Sequence, residues 1–144
     1  MARVNKSVLV PHSARQMFGL VENVEDYPKF LPWCGGVTIL DRTREGPLVR
    51  IDIDYHGMRT HFTTANRNTA PDRIVVELRD GPFRVLDGTW GFRALSDAAC
   101  KVEFELHYEF NSHMLERLIG PVFSHIANSF INAFVKRAEQ LYGS

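Results

Sequence analysis

The sequence predicts an α+β fold: a curled seven-stranded antiparallel sheet around one long C-terminal helix, with two short helices after the first strand. Three observations point there. From Gly35 to Phe110 the hydrophobic period is two, and five turn signals cut this region into six strand-like runs. Beyond Met114 the period becomes that of a helix. The last run is the cleanest, with Cys100, Val102, Phe104, Leu106, Tyr108 and Phe110 on one face and Lys101, Glu103, Glu105, His107 and Glu109 on the other. A strand apolar on one side and charged on the other belongs to a sheet wet on one face, hence antiparallel.

The elements follow in order. Val4, Val8 and Val10 share one parity and mark a first strand, ended by Pro11. Ser13 and Gln16 have the spacing of a capping box, and Met17, Phe18, Val21 and Val24 recur at helical intervals, so a helix is expected from about Ala14 to Val24. Asp26 can cap a shorter turn over Tyr27 to Phe30, which Pro32 closes. The turns within the sheet are Arg44-Glu45-Gly46-Pro47, His56-Gly57, Thr69-Ala70-Pro71-Asp72, Asp80-Gly81-Pro82 and Ser96-Asp97. Between the first two, Val49, Ile51, Ile53 and Tyr55 alternate with Arg50, Asp52, Asp54 and His56. The last helix is expected from about Met114 to Tyr142, with Ile119, Val122, Phe123, Ile126, Phe130, Ala133, Phe134 and Leu141 in one arc. Pro121 is expected in its first turn, or else at a kink.

The 144 residues suit one domain, 1–144, able to bury roughly 68–70% of its unfolded surface without a disulfide or metal staple. The 17 basic residues balance 17 acidic ones, so bulk charge offers no hold on DNA. Cys34 and Cys100 have no metal-ligand spacing, and two reduced buried thiols are the expectation. Met1 to Val10 lacks the apolar core of a signal peptide, which suits a cytoplasmic protein. Leu118 to Val135 carries no charge over 18 positions, close to a bilayer span, but Gly120, Pro121, His125, Asn128 and Asn132 interrupt it. A helix with one buried face explains it better.

Catalytic signals are weak. The histidines, His12, His56, His61, His107, His113 and His125, form neither H-x-H nor H-E-x-x-H and are expected in solvent, with no metal site. No nucleophile elbow is present. Asp52 and Asp54 share a strand face, but the outward one. No catalytic residue is assigned, and no cofactor beyond a bound lipid or quinone is expected.

One helix against a curled sheet is hard to fill, so a cavity is expected between them. The inward parities assign its lining to Ile51, Ile53, Tyr55, Leu86, Trp90, Phe92, Val102, Phe104, Leu106 and Tyr108, with Ile126, Phe130 and Phe134 from the helix. Arg137 falls in the same helical arc. It either snorkels past the helix end into water or sets a cation at one end of the cavity. Tyr27, Pro28, Phe30, Leu31, Pro32 and Trp33 read either as a rigid plug or as a lid and rim facing a membrane. The uncharged helix face with His125, Asn128 and Asn132 suits a partner surface or a weakly polar exterior.

Several motifs resemble a known family. Tyr27-Pro28-Lys29-Phe30-Leu31-Pro32-Trp33-Cys34 is similar to the Y-P-x-F-L-P-W-C signature of the coenzyme-Q-binding START-like family. Asp80-Gly81-Pro82-Phe83, followed by Leu86, Gly88, Trp90 and Phe92, resembles a second block of it. Gly120-Pro121-Val122-Phe123 and Ala133 to Ala138 resemble its C-terminal helix. The likeness runs from about residue 3 to 142 and implies the helix-grip fold of the START and polyketide-cyclase superfamily. Its leading functional implication is non-enzymatic binding of ubiquinone or another prenylated quinone in the cavity, in support of respiration, with peripheral contact at the inner face of the membrane. The alternative is the role of the family's bacterial ribosome association toxins, which bind the large ribosomal subunit and block subunit joining. With a neutral total charge, that role would need local clusters such as Arg42, Arg44 and Arg50. A cyclase- or aromatase-type enzyme is the third implication, and it would need inward polar groups that the strand parities scarcely offer.

Overall fold

The computed structural model describes residues 2–143. Strand β1 (Ala2–Val10) is followed by helix α1 (Ala14–Glu22), a 3-10 turn (Val24–Asp26) and helix α2 (Tyr27–Phe30). Six strands then run as a meander: β2 (Cys34–Arg42), β3 (Pro47–Tyr55), β4 (Met58–Thr69), β5 (Arg73–Asp80), β6 (Phe83–Ser96) and β7 (Ala99–Phe110). Helix α3 (His113–Tyr142) closes the chain. The sheet order is β1-β7-β6-β5-β4-β3-β2, with every neighbouring pair antiparallel. The α+β order of strand, two short helices, six-stranded meander and long helix expected from the alternation is the one observed, and it agrees with the fold that the resemblance implies.

Local chemistry sets the junctions. Ser13 Oγ accepts from Gln16 N at 3.1 Å while Gln16 Oε1 accepts from Ser13 N at 3.0 Å, a complete capping box on α1. That helix stops at Glu22, short of Val24, which instead begins the 3-10 turn. Between β3 and β4, Tyr55 pairs with Met58 across two residues of positive φ, His56 at 50° and Gly57 at 81°. Two positive φ values in a two-residue loop match the right-handed twist of the strands it joins. Gly81 joins β5 to β6 at φ 143°, where a Cβ would lie 2.7 Å from that of Phe62.

The inner face of the sheet meets α3 and α1 in one core. All six inward residues of β7 are buried, as are Val49, Ile51 and Ile53 on β3. Helix α3 turns Ile119, Phe123, Ile126, Ala127, Ile131, Phe134 and Ala138 inward. The expected arc needs two corrections. Leu141 is half exposed, because the last turn projects beyond the core, and Ala127, Ile131 and Ala138 carry the buried stripe instead. Pro121 sits two turns inside the helix rather than in its first turn, which Ser112 caps. Since proline has no N–H, the carbonyl of Arg117 loses its usual partner there. His12 also departs from expectation. It is buried, its Nε2 lacks a hydrogen-bond partner, and its ring lies 6.0 Å from that of Tyr142. Both cysteines are free and buried, as expected.

Candidate functional site

A cavity of about 80 Å³ lies between the sheet and α3. The sheet contributes Ile51, Phe62, Thr64, Asn66, Val76, Leu86, Gly88, Trp90, Phe104 and Leu106. Helix α3 supplies Phe123, Ile126, Ala127 and Phe130, and Val24, Tyr27 and Trp33 close one end. Aromatic rings account for its small size. Trp90 is fully buried, with its ring centroid 4.6 Å from Phe104, 5.1 Å from Phe134 and 5.6 Å from Phe130. An apolar cavity of roughly 150 Å³ holds one benzene, and ligand pockets commonly span roughly 300–1,000 Å³. At about 80 Å³ this cavity is smaller than either.

Seven of the lining residues expected from parity are on this wall: Ile51, Leu86, Trp90, Phe104, Leu106, Ile126 and Phe130. Ile53, Phe92, Val102, Tyr108 and Phe134 also point inward, but they pack in the core rather than against the open space. Tyr55 and Arg137 lie outside it, on a separate groove. Of the expected rim, Tyr27 and Trp33 reach the cavity, while Pro28, Phe30, Leu31, Pro32 and Trp33 wall the groove. Parity on β4 and β5 would have found Phe62, Thr64, Asn66 and Val76, which the sequence reading missed. Gly88 offers no side chain to read, yet it lets Leu106 and Val76 approach, for a Cβ there would sit 3.3 Å from Leu106 Cδ1.

Few polar groups face the cavity, and two of them, the Thr64 and Tyr27 hydroxyls, are bonded within the protein. Thr64 Oγ1 donates to Asn66 Oδ1 at 2.9 Å. The Tyr27 hydroxyl donates to the Val21 carbonyl at 2.5 Å, satisfying one of the free C-terminal carbonyls of α1. Burial, and secondarily the neighbouring Cys34, pushes the Tyr27 phenol far above its ordinary range. Burial is also the main cause that raises the Cys34 thiol, with Asp52 adding to it. At neutral pH these groups are neutral hydrogen-bonding or packing elements.

The second space is an open groove of about 590 Å³ between the Pro28–Trp33 segment, the end of β3 and the C-terminal half of α3. Trp33 alone among the described residues lines both spaces, so its indole is the partition between them. It stays in place against Phe130, centroid to centroid 5.6 Å. The groove carries Lys29, Lys136 and Arg137 beside Phe30, Tyr55, His125, Ser129, Asn132 and Gln140. Arg137 is half-buried. Its guanidinium carbon lies 5.4 Å from the centre of the Phe30 ring, and its Nη1 donates to Gln140 Oε1 at 3.4 Å. Its Nε is buried without a partner. It thus neither reaches into the cavity nor escapes into bulk water.

The arginines expected to form a positive cluster are largely neutralised. Arg42 bonds Glu25 at 2.8 Å and Arg50 bonds Asp52 at 3.0 Å, leaving Arg44 without an acidic partner among the described residues. Asp54 likewise faces Arg59 at 3.6 Å on the outer face.

A family model described as "Polyketide cyclase / dehydrase and lipid transport" matches residues 10–135. The chain is 43% identical over 143 residues to the Ribosome association toxin RatA of Vibrio cholerae, covering 99% of each. It is 40% identical over all 144 residues to the protein of that name from Escherichia coli, covering 91% of it. The mitochondrial Coenzyme Q-binding protein COQ10 of Drosophila melanogaster is 25% identical over 96% of this chain and 59% of its own. Among solved structures, a START superfamily protein from Mycobacterium smegmatis superposes with a TM-score of 0.79 at 27% identity, covering 96% of this chain and 98% of that one. The Zhui aromatase/cyclase of a Streptomyces species reaches 0.84 at 17% identity, over 96% and 94% of the two chains, and shares the fold alone.

Proposed function

We infer that this chain, which belongs to the polyketide cyclase, dehydrase and lipid transport family, acts by binding rather than by catalysis, as a cytoplasmic factor that associates with the large ribosomal subunit and hinders subunit joining. The observation that carries this reading is the end-to-end match, at 40–43% identity, to relatives named for ribosome association. The geometry supports it over the quinone reading, because the cavity of about 80 Å³ is smaller than the roughly 150 Å³ apolar cavity that holds one benzene. It supports it over an enzyme as well, because Thr64 bonds Asn66 and the Tyr27 hydroxyl bonds Val21, so neither is poised as an acid or base.

Hydrophobic ligand binding is the second reading, favoured by the apolar cavity wall and by the distant quinone-binding relative. It requires Trp33 to move aside so that the cavity and groove become continuous. A membrane-peripheral location belongs to this reading only.

Sedimentation of the purified protein with isolated large subunits, at moderate salt, tests the first reading. Binding to large but not small subunits, with fewer joined ribosomes at equal subunit concentration, is expected. Absence of cosedimentation, together with a prenylated quinone in the lipid extract of the purified protein, would reverse the order of the two.

A further inference from the structure

The groove beside Trp33 differs from the other surface pockets in its charge. Those carry acids: Glu77 and Asp87 beside Arg79 and Arg84, Glu109 with Glu116, and Glu22, Glu25 and Glu45 beside Arg42 and Arg44. Among the described residues no Asp or Glu lines the groove, which holds three cations. Lys29 is held at 3.0 Å by Asp26 from just outside, whereas Lys136 and Arg137 have no acidic partner among the described residues. The groove is therefore locally positive on a chain whose formal net charge is zero.

The rest of the groove decides which anion it fits. Phe30 and Tyr55 are half-exposed, His125 is exposed, and the rings of Tyr55 and His125 are parallel within 1° at 6.2 Å. Ser129, Asn132 and Gln140 add uncharged donors and acceptors between the cations and the rings. Cations for phosphates, ring faces for unstacked bases and amides for base edges are what proteins use on single-stranded RNA. A duplex offers no free base faces to such a wall. A bilayer would meet Lys29 and Lys136 but would leave the amides of Asn132 and Gln140 unused.

We propose that this groove, formed by Pro28–Trp33, Tyr55 and α3 from His125 to Gln140, grips an unpaired segment of ribosomal RNA. The proposal rests on the ribosome reading and names the chemistry of its contact. Arg137, held over the Phe30 ring, presents its remaining N–H groups to a phosphate, and Lys136 and Lys29 take neighbouring ones.

The test uses the full chain, isolated large subunits, fluorescent single-stranded RNA decamers, the same decamers as duplex, and vesicles containing phosphatidylglycerol. Lys136→Gln removes an exposed charge and leaves the core intact. Large-subunit affinity is expected to fall about fivefold to tenfold, and the slope of log K against log salt to drop by about 0.7, the value for one single-strand phosphate contact. Arg137→Lys keeps the charge but loses the planar fork, so affinity should fall while the slope holds. Arg44→Gln, an exposed cation away from the groove, should change neither. Wild-type protein should bind the single strand more tightly than the duplex. If wild type sediments with large subunits and Lys136→Gln and Arg137→Lys do so equally well, the groove proposal is overturned while the ribosome reading stands. If wild type does not sediment with subunits yet binds single strands through Lys136, the ribosome reading fails and the groove remains an RNA site. Binding to the vesicles but not to the decamers, lost in Lys136→Gln, would overturn RNA in favour of a lipid surface. Circular dichroism and the unchanged sedimentation of Arg44→Gln control for folding.

Discussion

Replacing Trp33 with alanine should join the cavity to the groove and make a ring-sized site from two spaces that now exclude one another. The indole is almost fully buried and packs on Phe130 at 5.6 Å. Truncating a buried aromatic costs about 3–5 kcal/mol. At about 2–4 °C per kcal/mol for a chain of this size, the midpoint of thermal unfolding should fall by roughly 6–20 °C. Domains carry about 5–15 kcal/mol in total, so circular dichroism at 25 °C must first show that the variant is folded. The closed cavity is about 80 Å³, and losing a bicyclic ring beside it takes the space past the roughly 150 Å³ that holds a benzene. The assay follows from the same substitution, since the chain has two tryptophans and the variant keeps only Trp90, which lines the cavity. A short-chain benzoquinone should quench Trp90 in the variant and leave Trp90 in the wild type unquenched, read with Trp33→Phe as the single-tryptophan reference. The quinone should also raise the variant's melting temperature, by an amount corresponding to about 2.7 kcal/mol at a hundred times its dissociation constant. If Trp90 is quenched at the same concentration in Trp33→Phe, the cavity opens unaided and its closed volume is no barrier. If the folded alanine variant stays unquenched, Trp33 is not the partition.

Other substitutions test the frame around the site. Tyr27→Phe leaves the Val21 carbonyl without its hydroxyl partner and should cost about 1–3 kcal/mol in chemical denaturation. The same variant should alter the alkaline limb of stability. Burial raises the folded-state phenol above its ordinary value of 10.0, so its contribution is fully present below pH 10 and is lost as pH rises above it, at about 1.4 kcal/mol per pH unit. Tyr27→Phe should flatten that slope by one proton, and an unchanged slope would mean that Tyr27 ionises freely. Gly81→Ala puts a Cβ within 2.7 Å of that of Phe62 at φ 143° and should cost at least about 1–3 kcal/mol. Ser13→Ala removes the capping-box acceptor and should cost about 1 kcal/mol, lowering the melting temperature by about 2–4 °C.

What the sequence made legible is what has a period. The alternation of β7 named all six of its buried residues, and that of β3 named Val49, Ile51 and Ile53 but misplaced Tyr55, which is half-exposed at the strand's end on the groove. The turns were legible because Gly57 and Gly81 adopt backbone angles that ordinary side chains resist. Strand β4 was harder because two of its inward residues, Thr64 and Asn66, are polar and Thr63 between Phe62 and Thr64 is buried as well, so its alternation carries little hydrophobic contrast. Helix α3 misled in a different way. Thirty residues long, it presents different arcs to the sheet, to α1 and to solvent, so a single 100° projection blurs Ile131 and Ala138 into its polar side and promotes Leu141.

Arg137 shows why a residue's direction can be legible while its role is not. The helical projection correctly set it on the inward arc, and the choice then lay between bulk water and the cavity. The structure takes neither course, because the Pro28–Trp33 segment folds over the end of α3 and places Phe30 under the guanidinium. That segment lies more than a hundred residues away in the chain, so no local pattern could have paired them. Its two prolines and Trp33 had suggested a lid, and Trp33 does divide cavity from groove, but the same segment also makes the groove's aromatic floor. The division has a consequence for both functional readings. A ligand that displaced Trp33 would enter the cavity at the expense of the ordered wall that an RNA strand would use, so quinone and ribosome should compete. Short-chain quinone should therefore weaken large-subunit binding in Trp33→Ala, whose widened cavity it enters, and leave the wild type and Trp33→Phe unaffected at the same concentration. Sedimentation of Trp33→Ala that is indifferent to saturating quinone would show that the two spaces are energetically separate.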